Sequence, residues 1–166
     1  MIHHISIPAE NPRRVAEVLA EIWGGRCLPF PPFPGSYIVI VDDGRGSAIE
    51  VTPLGMELAP GVGDEQAQTL ANDNASPFTA THAALSVPAR EERIKEVAAR
   101  EGWRAVKCDR GGAFEVVEFW IENRLLVEML PPAMQRRYLE SMTSPNYAEL
   151  FGIELDTPAE RELIAA

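Results

Sequence analysis

The chain opens on an alternating run, His4-Ile5-Ser6-Ile7, which predicts a strand with Ile5 and Ile7 on one face and His4 and Ser6 on the other. Asn11 and Pro12 follow with helix-start chemistry: a capping side chain, then a ring that presets φ at the first helical position. Val15, Val18, Leu19 and Ile22 recur at helical spacing, and Gly24-Gly25 is where that helix should close. Leu28 to Gly35 contains four prolines, which excludes it as a central strand because each proline removes a backbone donor. Tyr37 to Val41 is a β-branched run. Ala48 to Thr52 is its expected hairpin partner across the turn Asp42 to Gly46. From Leu54 to Pro77 the chain becomes polar and glycine-rich, which predicts a linker.

The same order then returns. His82 to Val87 predicts a strand, and Ile94, Val97 and Ala98 a helix ending at Gly102. Trp103 to Cys108, Phe114 to Ile121 and Leu125 to Leu130 predict three further strands, with turns at Arg110-Gly111-Gly112 and Glu122-Asn123. Sliding the second half onto the first aligns His82 with His4, Glu128 with Glu50, Gly102 with Gly24 and Ala98 with Ala20, all at one offset of 78 residues. Each glutamate is followed three residues later by a proline, Pro53 or Pro131. The expected organisation is α+β, with two tandem β-α-β-β-β modules at residues 1–54 and 82–132. A linker at 55–81 joins them, and a C-terminal extension at 133–166 is helical over Ala133 to Met142 and Pro158 to Ala165.

Strand parity places the candidate chemistry. If Ile5, Ile7, Ile49 and Val51 meet the first helix, then His4 and Glu50 face away from it; Val127 and Met129 likewise leave Glu128 on the open face, with His82. A glutamate inside Leu-Leu-Val-Glu-Met-Leu is costly to bury unless something pairs with it. Two carboxylates and two neutral imidazoles converging from the two halves suit one divalent cation. His3 falls on the helix side by parity and is expected to pack or to sit at an edge.

Composition narrows the rest. With 166 residues and 46% hydrophobic content the chain is long enough for a core without staples. A net charge of −10 argues against a nucleic-acid partner, which needs a basic surface. No run of eighteen apolar residues predicts a membrane span, and nothing at the N-terminus reads as a secretory signal, so a cytoplasmic protein is expected. Cys27 and Cys108 are expected to be reduced thiols without an activating neighbour. Phe30, Phe33, Tyr37, Phe114 and Trp120 stand as core residues or as the walls of an apolar pocket.

His-Ile-Ser-Ile-Pro-Ala-Glu-Asn-Pro from His4 and His-Ala-Ala-Leu-Ser-Val-Pro-Ala from His82 resemble the strand-and-helix openings of the vicinal oxygen chelate superfamily. The resemblance spans roughly His4 to Pro132, and the two-histidine, two-glutamate set is most similar to glyoxalase I-like members. It implies one divalent metal ion (nickel, zinc, cobalt or manganese) held by His4, Glu50, His82 and Glu128, with Glu50 or Glu128 doubling as the catalytic base. It also implies a lyase or isomerase that holds a small molecule with vicinal oxygens as an enediolate or enolate, and a homodimer. The alternative within the same fold is a metal-free small-molecule binding or resistance protein, since fold does not dictate function.

Overall fold

The structure, a computed structural model, describes residues 2–155. The chain runs β1 (His4–Ala9), α1 (Pro12–Trp23), β2 (Arg26–Pro29), β3 (Tyr37–Val41), β4 (Ser47–Pro53), β5 (Met56–Ala59), β6 (Gln68–Ala71) and β7 (Ala83–Ser86). It continues with α2 (Glu91–Glu101), β8 (Arg104–Asp109), β9 (Glu115–Ile121), β10 (Leu125–Leu130), α3 (Pro132–Ser141) and α4 (Ser144–Phe151). Two four-stranded sheets, ordered β1-β4-β3-β2 and β7-β10-β9-β8, are the two expected modules. In each, the first strand lies parallel to the last and the remaining pairs are antiparallel. A parallel pair needs a crossover, and the helix after the first strand supplies it.

The repeat holds through the modules: Arg26 and Arg104, Tyr37 and Glu115, and Ser47 and Leu125 open equivalent strands 78 residues apart. Helix chemistry follows the sequence closely. The Asn11 side chain accepts from the Arg14 amide at 3.1 Å, and α1 closes on Gly24 in the left-handed region at φ 76°. Gly102 closes α2 in the same way at φ 71°. Only glycine takes that conformation without a steric cost from Cβ. Val15, Val18, Leu19 and Ile22 of α1 are fully buried with Val39, Ile49 and Val51; Ile94 and Val97 of α2 are buried with Val117, Phe119, Val127 and Met129. Strand parity therefore works as the alternation implied.

Charge joins the modules through their helices. Glu101 accepts from Arg14 and Arg100, and Glu21 accepts from Arg93 and Arg100. The Glu122 carboxylate accepts from the amides of Glu10 at 2.7 Å and Asn11 at 2.8 Å, which puts negative charge at the start of α1. Glu122 sits at φ 51° to make that turn. Hydrogen bonds from Arg14, then from Arg100, hold Glu101 below the usual carboxylate range, and Arg100 does the same for Glu21. Both folded pKa values lie below the unfolded ones, so this stabilisation is complete above the unfolded pKa and is lost as pH falls through the folded values. Glu101→Gln is therefore expected to cost about 1–2 kcal/mol at pH 7 and progressively less on acidification, read from urea denaturation at a series of pH values. A variant deficit that stays constant from neutral to acid pH would show that the pair contributes nothing through charge.

Four segments differ from the sequence reading. Arg26–Pro29 is an edge strand paired only with β3, so its proline costs no ladder bond on the open side. The linker contains the hairpin β5–β6, with register Met56 opposite Ala71. Leu58 and Leu70 stay largely exposed there, so no buried face had imposed a clear alternation. Strand β7 begins at Ala83, which leaves His82 just ahead of it. Finally, α4 follows α3 directly, while Pro158 to Ala165 lies outside the described residues. No helix among the described residues is long and apolar enough to cross a membrane.

Candidate functional site

The open face of the first sheet carries His4, Ser6 and Glu50. Ser6 is the register partner of Glu50 across the parallel β1–β4 pair, and its hydroxyl donates to Glu50 Oε2 at 2.5 Å. Glu50 Oε1 lies 3.9 Å from His4 Nε2. The carboxylate is mostly buried, at 14% side-chain exposure, while the imidazole is 59% exposed. One oxygen of Glu50 is thus held by a hydroxyl and the other faces an imidazole nitrogen open to solvent. That arrangement suits an acceptor site for a cation or for a proton.

The open face of the second sheet is built differently. Glu128 is the register partner of Glu118 across β10–β9, and two carboxylates so placed repel unless a cation lies between them. Arg110 supplies it: its Nη2 donates to Glu118 Oε1 at 2.9 Å and forms an ion pair with Glu128 Oε1. Trp120 Nε1 adds a bond to Glu118 Oε2 at 3.3 Å. Burial pushes the Glu118 pKa up, but the hydrogen bonds from Arg110 and Trp120 outweigh it and leave the carboxyl below its usual range. Cys108 lies beside this cluster; burial and the neighbouring Glu118 charge push its thiol pKa up, so it is no ready nucleophile.

His82 stands just ahead of β7. Its Nδ1 lies 3.0 Å from the Ala80 carbonyl oxygen. His82 lines a cavity of about 380 Å³ together with His4, Trp23, Ala48, Leu85 and Tyr138. His3 also borders this space, with Nδ1 2.6 Å from the Arg45 carbonyl oxygen, in keeping with an edge histidine.

The four expected ligands therefore occupy three settings: His4 with Glu50, His82 near His4, and Glu128 on Arg110. Among the described residues, no three His, Cys, Asp or Glu side chains are grouped to hold one metal ion. The His4–Glu50 pair fits one edge of a divalent cation by donor type, since it offers one nitrogen and one carboxylate oxygen. Glu128 fits only if its partner changes. The sequence pattern reads Arg110 as part of a turn and places Ser6 on the His4 face without giving it a role at the site. Parity puts Ser6 on that face, but its bond to Glu50 depends on the β1–β4 register, and nothing local pointed Arg110 at Glu128.

No protein-family model matches the sequence, and no curated protein matches it either. Solved structures do. The fosfomycin resistance protein FosX from Listeria monocytogenes, in its monoclinic form, superposes with a TM-score of 0.54 at 13% identity over 84% of this chain and 96% of that one. Its hexagonal form gives 0.52 at 14% identity, over 82% and 97%. The protein thus shares the paired-module fold of these structures. A glyoxalase family protein from Bacillus anthracis shares it too, with a TM-score of 0.50 at 13% identity over 78% of this chain and 92% of that one.

Proposed function

We propose that the protein is a metal-dependent lyase or isomerase of the glyoxalase type, acting on a small molecule with vicinal oxygens. The observation that supports this most directly is the convergence of His4 and Glu50 on the open face, with Ser6 orienting the carboxylate. His4, Glu50, His82 and Glu128 would hold the ion, and pairing in a homodimer would bring donors from the two open faces together. Bound there, a divalent ion would act as a Lewis acid toward the two substrate oxygens. The chain's own part is to hold and move a proton: Glu50, with one oxygen fixed by Ser6, presents the other to the site. Glu128 is the second candidate base, with Arg110 as its present counter-charge.

Purified without chelator, the protein is expected to carry nickel, zinc, cobalt or manganese in stoichiometric amount by elemental analysis. Glu50→Gln should weaken metal binding by at least about a hundredfold, because it removes an anionic donor and not merely a supporting hydrogen bond. Absence of metal on isolation together with absence of binding on titration would remove this reading. One observation favours a second reading: Arg110 already neutralises Glu128. A metal-free binding protein of the same fold would keep that ion pair, and its ligand would raise the melting temperature equally with and without chelator.

A further inference from the structure

Beside the Ser6–Glu50 pair the sheet surface continues into a second, smaller cavity of about 180 Å³. Ser6, Pro8 and Thr52 form its floor, and Phe33, Met56 and Leu58 its walls. Apart from Ser6 it is almost wholly apolar: the Thr52 hydroxyl turns away to the Ile7 carbonyl oxygen at 3.4 Å. The walls come from two segments outside the paired sheets. Phe33 stands on the proline-rich loop, packed on Phe30 at a ring separation of 5.7 Å and held by bonds from the Phe33 amide to Phe30 and from Ser36 to Phe33. Met56 and Leu58 stand on the first strand of the β5–β6 hairpin, whose base is tied to β1 by the Leu54 amide donating to the Ala9 carbonyl at 2.7 Å.

We infer that this cavity is the specificity pocket of the site, receiving an apolar group of about six carbons on the substrate while its oxygens lie at Glu50. The inference rests on the reading of Glu50 as part of the reacting site. Size suits the occupant: a closed apolar cavity of about 150 Å³ takes up one benzene ring, and this half-open one offers about 180 Å³. Continuity supports the placement, because Ser6 both lines the cavity and holds Glu50. The substrate class is thus a small compound with vicinal oxygens next to an aryl or branched alkyl substituent. Small polar compounds such as unbranched hydroxy acids would leave the walls wet and bind less well.

Two probes separate the pocket from the oxygen site. Toluene, followed by ligand-observed NMR on chelator-treated protein, tests the cavity alone. It should bind the wild type and be lost in Leu58→Trp, a change the fold tolerates because Leu58 is more than half exposed. Phe33→Ala should weaken it as well, through loss of a wall. Mandelate against lactate, titrated calorimetrically into manganese(II)-loaded protein, tests the link to the oxygens, and mandelate should bind at least about tenfold more tightly in the wild type but not in Leu58→Trp. Toluene binding that is absent, or unchanged in both variants, overturns the pocket, and mandelate binding no better than lactate overturns its specificity role. If toluene binds and is lost on filling while neither acid binds the manganese-loaded protein, the reading of the Glu50 site fails and the apolar pocket stands.

Discussion

Replacing Arg110 by alanine is expected to destabilise the protein by about 2–3 kcal/mol at neutral pH, with the deficit shrinking as pH is lowered. The wild-type guanidinium lies between two carboxylates that face each other across β9 and β10, with side-chain exposures of only 18% for Glu118 and 13% for Glu128. Truncation leaves both charges half-desolvated and repelling, and the loss of a partner from a buried pair reaches about 3–5 kcal/mol. Arg110 itself is one-third exposed, so solvent screens part of that, hence the lower figure. On acidification one carboxylate of the variant takes up a proton, the repulsion disappears, and the stability curves of variant and wild type approach each other. Urea midpoints at pH 7 and pH 4 measure this, and a deficit that is equal at both would show that Arg110 acts by packing alone.

The same substitution separates the two functional readings. A divalent ion and Arg110 compete for Glu128, so under the metal-dependent reading Arg110→Ala should bind metal at least as tightly as the wild type and regain stability when loaded. Under the metal-free reading, adding metal to the variant changes nothing. The stability penalty and the metal response come from one pair of side chains but are measured independently.

The largest single effect is expected from Phe119→Ala, at about 3–5 kcal/mol. Phe119 is fully buried on the helix side of β9, between Ala105 and Val127 in register, and meets Trp103 edge-on with ring centroids 5.7 Å apart. Its removal leaves a void beneath the strand that carries Glu118 and Trp120 on the opposite face. A domain of this size has only about 5–15 kcal/mol in hand, so the variant should unfold at a much lower urea midpoint with an unchanged slope. Phe119→Leu should recover part of the loss. A cost under about 1 kcal/mol for the alanine variant would mean that the core collapses around the gap.

Much of this architecture is written locally. Asn11-Pro12 and Gly24 bound α1 because capping and left-handed turns are properties of a few adjacent residues. The apolar positions of α1, β4 and β10 lie inside because strand and helix periods leave them on one face, and that parity also puts Glu50 and Glu128 on the open side. The offset of 78 residues made the duplication readable, since both halves solve the same burial problem with the same periods. The hairpin β5–β6, largely exposed, had no such pattern to announce it, and β2 hid behind the prolines that its edge position tolerates.

Partners were decided elsewhere. That Glu128 needs a counter-charge follows from its setting in an apolar strand, but that Arg110 provides it depends on β8 lying beside β9 in one register. Ser6 on Glu50 depends in the same way on how β1 pairs with β4. The apolar cavity exists only because the proline loop and the inserted hairpin meet over the end of β1. A chain's period fixes which way a side chain points within a few residues. What it meets there is set by contacts between segments tens of residues apart, and those energies enter only when the sheets assemble.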